Sequence, residues 1–148
     1  MTDALAAAIG RHEAEHLRFG PVPRAEIEAL EARIGRRLPA SLASALETVG
    51  NGIFFGKEEL FGPRRLMVHD IELVPDLVSF QRHFAAAGET AMADALIPFH
   101  RADEVVHLLD LRTGGESAVV SADGGRSYPD LASFLGQVVI PSVLPGAP

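Results

Sequence analysis

Apolar residues recur at helical spacing through the first half of the chain and crowd into short continuous runs through the second. Between residues 24 and 34, Ile27, Leu30 and Ile34 fall at i, i+3 and i+7, while Glu26, Glu28 and Arg33 point elsewhere. That spacing predicts an amphipathic helix, and Gly35 stands where a left-handed residue ends one. Pro39 opens the next helix, since proline in a first turn removes no hydrogen bond; Leu42, Leu46 and Val49 form its stripe and Gly50 closes it. Upstream, residues 3–18 carry Leu5 and Ile9 in line with Phe19. They predict a first helix, capped by Thr2 and stopped by "FGPVP". A further helix is expected over residues 75–87, with Leu77, Phe80 and Phe84 on one face and Gly88 after it.

The period then changes. "LIPFH" is extended, with Pro98 marking a strand edge or start. "EVVHLLDL" is an almost unbroken Val/Leu run and predicts a central strand; "RTGGE" turns the chain, and "SAVVSA" returns as the next strand. "IFFG" and "ELFG" are shorter extended pieces around Lys57. "SYPDLASFLGQVV" predicts a closing helix with Leu131, Phe134, Leu135 and Val138 inward, and "PSVLPGAP" an extended tail. Helices, then strands, then a helix make an α+β class: a mainly antiparallel sheet with N-terminal helices and a C-terminal helix packed on it. Residues 1–148 read as one domain, with an N-terminal helix at 3–18, a core at 20–140 and a proline-rich tail at 141–148.

Composition narrows the chemistry. The chain has 148 residues, 47% of them apolar, a formal net charge of −7 and no cysteine. The length supports one hydrophobic core. The absence of cysteine removes disulfides, thiolate zinc sites and cysteine nucleophiles. The acidic balance disfavours nucleic acid and favours a basic protein partner. No run reaches membrane-spanning length and no charged leader precedes an apolar core, so a cytoplasmic protein without membrane contact is expected.

The ordered series of motifs resembles a known family. "AEIEALEARIGRRLPASLASALETVGNG" is similar to the opening signature of the SUKH superfamily, the Smi–Knr-type domains. There, a helix ends at a Leu-Gly or Ile-Gly, a Leu-Pro starts the next, and an Asn-Gly turn closes it. Glu31, Gly35, Leu38, Pro39, Asn51 and Gly52 stand at the matching places. "IPFHRADEVVHLLDL", with Pro98, Asp110 and Leu111, resembles the later strand pair. "SYPDLASFLGQVV", with Ser133 and Phe134, resembles the closing helix. The match covers residues 20–140; the chain lacks Trp, and Leu42 and Ala45 replace aromatics common in the third helix. The resemblance implies a binding domain without shared catalytic residues. Many bacterial members are thought to be immunity proteins that neutralise a cognate toxin, and eukaryotic members act in cell-wall regulation and signalling.

Several fragments look catalytic. "HEAEH" contains both orders of the zinc-hydrolase helix motif, and on a helix His12 and His16 lie one turn apart with Glu13 beside them. Only 11 residues precede it, too few for the sheet such a helix lies against, and no third ligand follows. Its histidines are expected to be ordinary helix positions, with a zinc hydrolase as the remote alternative. "GIFFGKE" has three residues between its glycines instead of four, and Glu58 stands where a phosphate loop needs Ser or Thr. "GRSYP" lacks the second glycine of a nucleophile elbow. His100 and His107 are placed to meet across neighbouring strands, where hydrogen-bonded neutral histidine is commoner than a metal pair. Arg36–Arg37 and Arg64–Arg65 lack interleaved aromatics and are expected to be salt-bridged surface. No catalytic residue, metal ligand or cofactor is assigned.

The expected partner surface is "GIFFGKEELFG". Phe54, Phe55, Glu58 and Glu59 would give an aromatic anchor with acidic neighbours, with Asp103 and Glu104 adding charge nearby. The alternative is that these phenylalanines fill the core. The function expected is direct binding of a protein, foremost a basic toxin domain neutralised by an immunity protein, with a scaffold or regulatory module as the other reading.

Overall fold

The computed structural model describes residues 7, 9, 11, 16–18, 20–86, 96–111, 118–122 and 125–139. It has the expected α+β class. A seven-stranded antiparallel sheet runs in the order β1 (Leu17–Arg18), β2 (Gly52–Phe54), β3 (Glu58–Leu60), β6 (Leu96–Ala102), β7 (Val105–Asp110), β8 (Ala118–Ser121), β9 (Ser127–Tyr128). Strands β4 (Leu66–Val68) and β5 (Ile71–Val74) form a separate hairpin. The helices are α1 (Arg24–Ile34), α2 (Ala40–Thr48), α3 (Leu77–Ala86) and α4 (Leu131–Phe134), the last continuing as a π-turn over Leu135–Val139.

Both helices predicted from the 24–49 pattern form. Gly35 ends α1 at φ 74°, with its N–H on the Glu31 carbonyl. The Glu31 side chain accepts from the Leu38 N–H at 2.7 Å, tying the turn before α2. Gly50 has φ 81°, and a Cβ there would sit 1.9 Å from the Gly20 carbonyl oxygen. Glycine is thus required twice over at this position, by conformation and by backbone contact. Asp130 caps α4 through the Ser133 N–H at 2.7 Å. Its carboxyl is held below the usual range by that backbone bond and by the Ser133 side chain, which together outweigh desolvation. Asp76 caps α3 likewise, accepting from the Ser79 N–H at 3.1 Å and the Ser79 hydroxyl at 2.6 Å. Burial pushes its carboxyl up, but the Ser79 bonds and Arg33 prevail and lower it.

Strand β7, the "EVVHLLDL" run, lies between β6 and β8, and its inner residues are buried on both faces. Phe61, Ile97, Phe99, Leu108, Leu109, Val119 and Phe134 join Ile27, Leu30, Leu42, Leu46 and Leu77 in one core. Burial of that many large side chains is what holds a chain of this length folded. Among the described residues, no helix is long and apolar enough to cross a membrane.

The first helix departs from expectation. Ala7, Ile9 and Arg11 have helical backbone, but Leu17 and Arg18 are extended and pair with Ile53 and Gly52. A helix through residue 18 is therefore incorrect: sheet pairing to β2 takes the last residues. Thr2, His12, Glu13, the Phe84 side chain, the "RTGGE" turn and the tail at 141–148 lie outside the described residues.

Candidate functional site

Strands β3 and β6 each contribute two consecutive polar residues, and the alternation of a strand sends them to opposite faces. On one face Glu59 and Arg101, register partners, form a two-pronged pair at 2.6 and 2.8 Å. The Arg101 guanidinium lies 5.2 Å from the ring centre of Phe80 and 5.8 Å from that of Phe61. Two charge-assisted bonds and two aromatic faces fix it. The Glu59 bonds raise the Arg101 pKa further, against the effect of burial.

On the other face Glu58 and His100 meet. The Glu58 carboxylate lies 2.8 Å from Nε2 of His100, and Nδ1 of His100 lies 3.1 Å from Nδ1 of His107 on β7. His100 and His107 are register partners, and Ser121 is the partner of His107 on β8. All four are buried: Glu58 and His100 at 4% exposure, Ser121 at 5%, His107 at 6%. Phe134 lies against both imidazoles, with ring centres 5.1 Å from His100 and 4.6 Å from His107. A register shift between Pro98 and His100 brings Phe99 to the same ring at 5.6 Å.

The hydrogen bonds run in a line. A carboxylate only accepts, so Nε2 of His100 donates to Glu58 and its Nδ1 carries the lone pair. Nδ1 of His107 then donates to that lone pair. A line is not a metal cage: Glu58 and His107 engage opposite nitrogens of His100, so the three donors do not converge on one point. Among the described residues, no group of three or more His, Asp or Glu side chains could hold a metal ion.

This line floors a cleft of about 480 Å³. Ser121 and Tyr128 form its wall, and Asp103, Val105, Arg126 and Gln137 its exposed rim. Ser121 is set by the loop after β8: its Oγ accepts from the Arg126 N–H at 3.0 Å. On their other side Glu58 and His100 border an apolar cavity of about 60 Å³. An environment so poor in water strengthens any field that the carboxylate exerts.

The "HEAEH" fragment contributes one described side chain that bears on its chemistry. His16 is buried and holds backbone with both nitrogens: Nδ1 accepts from the Phe55 N–H and Nε2 donates to the Ile9 carbonyl, each at 3.0 Å. Phe55 stands edge-on to the ring at 4.7 Å. In this tautomer neither nitrogen is open to zinc. His16 pins the N-terminal segment to the turn after β2, where Phe55 takes a left-handed φ of 53°.

The expected partner surface is largely inside. Phe54 is buried with Ile9 and Val49, and Phe61 lies in the main core. Glu58 is buried under His100, and Glu59 is paired with Arg101. Only Phe55 remains half-exposed among the four anchor residues besides Glu59. The reason is alternation: in β2 and β3 these residues point into the two layers packed on the sheet. Asp103 and Glu104 are exposed, at the tight turn joining β6 to β7.

Besides Leu17 and Val105, the exposed large apolar residues among those described lie on a hairpin that the sequence pattern did not predict. Leu66 and Val74 are buried at the base of β4–β5. Beyond them Met67, Ile71 and Leu73 are exposed, Ile71 at 62%. His69 and Asp70 form the tip with φ of 51° and 63°. Two successive left-handed residues make a type I′ turn, normally written Asn-Gly, which is why composition gave no signal. At its base Arg64 pairs with Glu26, and Arg65 lies 3.7 Å from Glu72, as expected of that basic pair.

No protein-family model matches the chain, and no curated protein matches it. Among solved structures, a crystal structure of a protein from Pseudomonas syringae pv. tomato superposes with a TM-score of 0.60 at 14% identity, over 89% of this chain and 96% of that one. At that identity the likeness shows a common fold.

Proposed function

We propose that this chain is a protein-binding domain that neutralises a basic toxin domain by direct, stoichiometric contact. The observation that carries the reading is the β4–β5 hairpin. It stands outside the main sheet and concentrates Met67, Ile71 and Leu73 on one exposed arm. An isolated two-stranded hairpin is marginal in water; strand alternation puts Ile71 and Leu73 on one face and Met67 beside Glu72 on the other, so a partner that covers the arm would meet apolar groups on either side. A net charge of −7 opposes a second copy of the chain and favours a basic occupant. Asp70 and Glu72 place acidic groups among the apolar ones, which suits electrostatic steering followed by apolar docking. The resemblance to SUKH domains supports the toxin as the class of partner.

The test is co-expression with the polypeptide encoded beside this chain's gene. Growth should be rescued by the wild-type chain and not by a folded Met67→Asp/Ile71→Asp variant. Equal rescue by both would remove the hairpin from the interface. Absence of any protection or complex would contradict the toxin reading, and self-association in light scattering would assign the arm to a second copy.

A further inference from the structure

We infer that the apolar cavity behind Glu58 and His100 is a binding site for a small alkyl group of about three carbons, either a free molecule or the end of a longer chain. The inference does not rest on the hairpin or on the toxin reading.

The cavity lies between the sheet and two helical elements. Its wall includes Ala45 from α2, Phe99 from β6, Leu131 from α4, Leu135 and Val139 from the π-turn, and Phe55 from the turn between β2 and β3. The polar residues of its described lining are Glu58 and His100, which bond each other at 2.8 Å. A buried water needs about two to four polar partners, so such a wall selects an apolar occupant. Volume sets the size of that occupant. An apolar cavity of about 150 Å³ takes benzene; this one, at about 60 Å³, is too small for a ring and suits a short alkyl group.

Two unusual stretches of backbone border the same space. Phe55 and Gly56, with φ of 53° and 72°, are the central residues of a turn closed by the Lys57 N–H on the Phe54 carbonyl at 3.1 Å. Such turns are normally written Asn-Gly, and a bulky side chain at positive φ is costly. Here the Phe55 ring lines the cavity and stands edge-on to His16. The second stretch is the π-turn. Turns of this kind are rare and recur at functional sites, and its first and last residues, Leu135 and Val139, both line the cavity. Costly backbone persists where the surrounding structure holds it, and it gathers at ligand sites. Two irregular stretches around one space set it apart from an accidental packing gap. The half-buried members of the described lining are Phe55, Leu60 and Leu135, which places the entrance on their side.

The full chain would be titrated with dissolved xenon and, separately, with propane, with methyl carbon NMR shifts as the readout and benzene as the oversized control. Saturable shifts are expected at Ala45, Leu131, Leu135 and Val139 with both gases, and none with benzene. Ala45→Leu fills the space from α2 with a good helix former and should weaken xenon binding by at least about tenfold. Phe55→Asn suits the turn and serves should Ala45→Leu not fold; it removes part of the wall and should weaken xenon binding by at least about threefold. 1-Hexanol distinguishes the sources: saturable shifts at the same methyls indicate the end of a longer chain, and binding of propane without hexanol indicates a small free molecule. No saturation with xenon and propane, shifts confined to methyls outside the cavity, benzene binding as well as propane, or unchanged xenon binding in folded Ala45→Leu or Phe55→Asn would overturn the inference.

Discussion

His100 and His107 face each other across β6 and β7 with their Nδ1 atoms 3.1 Å apart, and Glu58 holds the far nitrogen of His100. The two imidazoles therefore have unequal weight in stability. His100→Phe takes the imidazole from a buried carboxylate and should cost about 3 kcal/mol. His107→Phe removes a neutral hydrogen bond and should cost about 1–2 kcal/mol. Urea unfolding of both variants checks the order. Adding Glu58→Leu to His100→Phe should recover much of the loss, because the orphaned charge goes with it.

Two left-handed glycines should respond differently to alanine. Gly35 has φ 74° and open space around a would-be Cβ, whereas at Gly50 that atom would meet the Gly20 backbone. Gly35→Ala should cost about 1 kcal/mol, from conformation alone. Gly50→Ala adds a backbone clash and should exceed about 2 kcal/mol. Equal melting temperatures for the two variants would contradict the close approach.

Asp76 should stabilise α3 in a pH-dependent way. Its folded carboxyl is lowered from the ordinary 3.8, so the unfolded chain binds the proton more readily. Its contribution is complete above the unfolded pKa and is lost as pH falls through the folded one. Asp76→Ala should cost about 1 kcal/mol near neutrality, typical of a lost cap, and the gap to wild type should shrink below pH 4. A gap that stays constant down to pH 2 would sink the assignment.

Much of the fold was legible because burial writes itself into sequence. The i, i+3, i+7 stripes of α1 and α2 and the Val/Leu run of β7 each match one structural period, and Gly35 and Pro39 punctuate them. The meeting of His100 and His107 followed from placing their strands side by side. Glu58 was misread as surface because charge outweighed position. Its neighbour Glu59 faces the opposite layer, and with Leu60 alternating on the Glu58 side, strand period was the signal available. The β4–β5 arm escaped because His69–Asp70 takes a conformation associated with glycine, and two-residue β1 is too short to leave a period. Neither element was encoded by composition; each is imposed by its pairing partner.

The exposed arm should be dispensable for folding. Ile71→Asp changes a side chain that is 62% exposed and should leave the urea midpoint within about 0.5 kcal/mol of wild type. A larger loss would mean that the arm packs on the body of the domain in solution.

The most direct measurement is the affinity of the purified chain for the polypeptide encoded beside its gene, taken by calorimetry at two salt concentrations. The account predicts a one-to-one complex whose affinity falls as salt rises, because the attraction between an acidic chain and a basic partner is screened. It also predicts at least about a tenfold loss in Met67→Asp/Ile71→Asp. A salt-independent complex that tolerates the double substitution, or no complex at all, would contradict it.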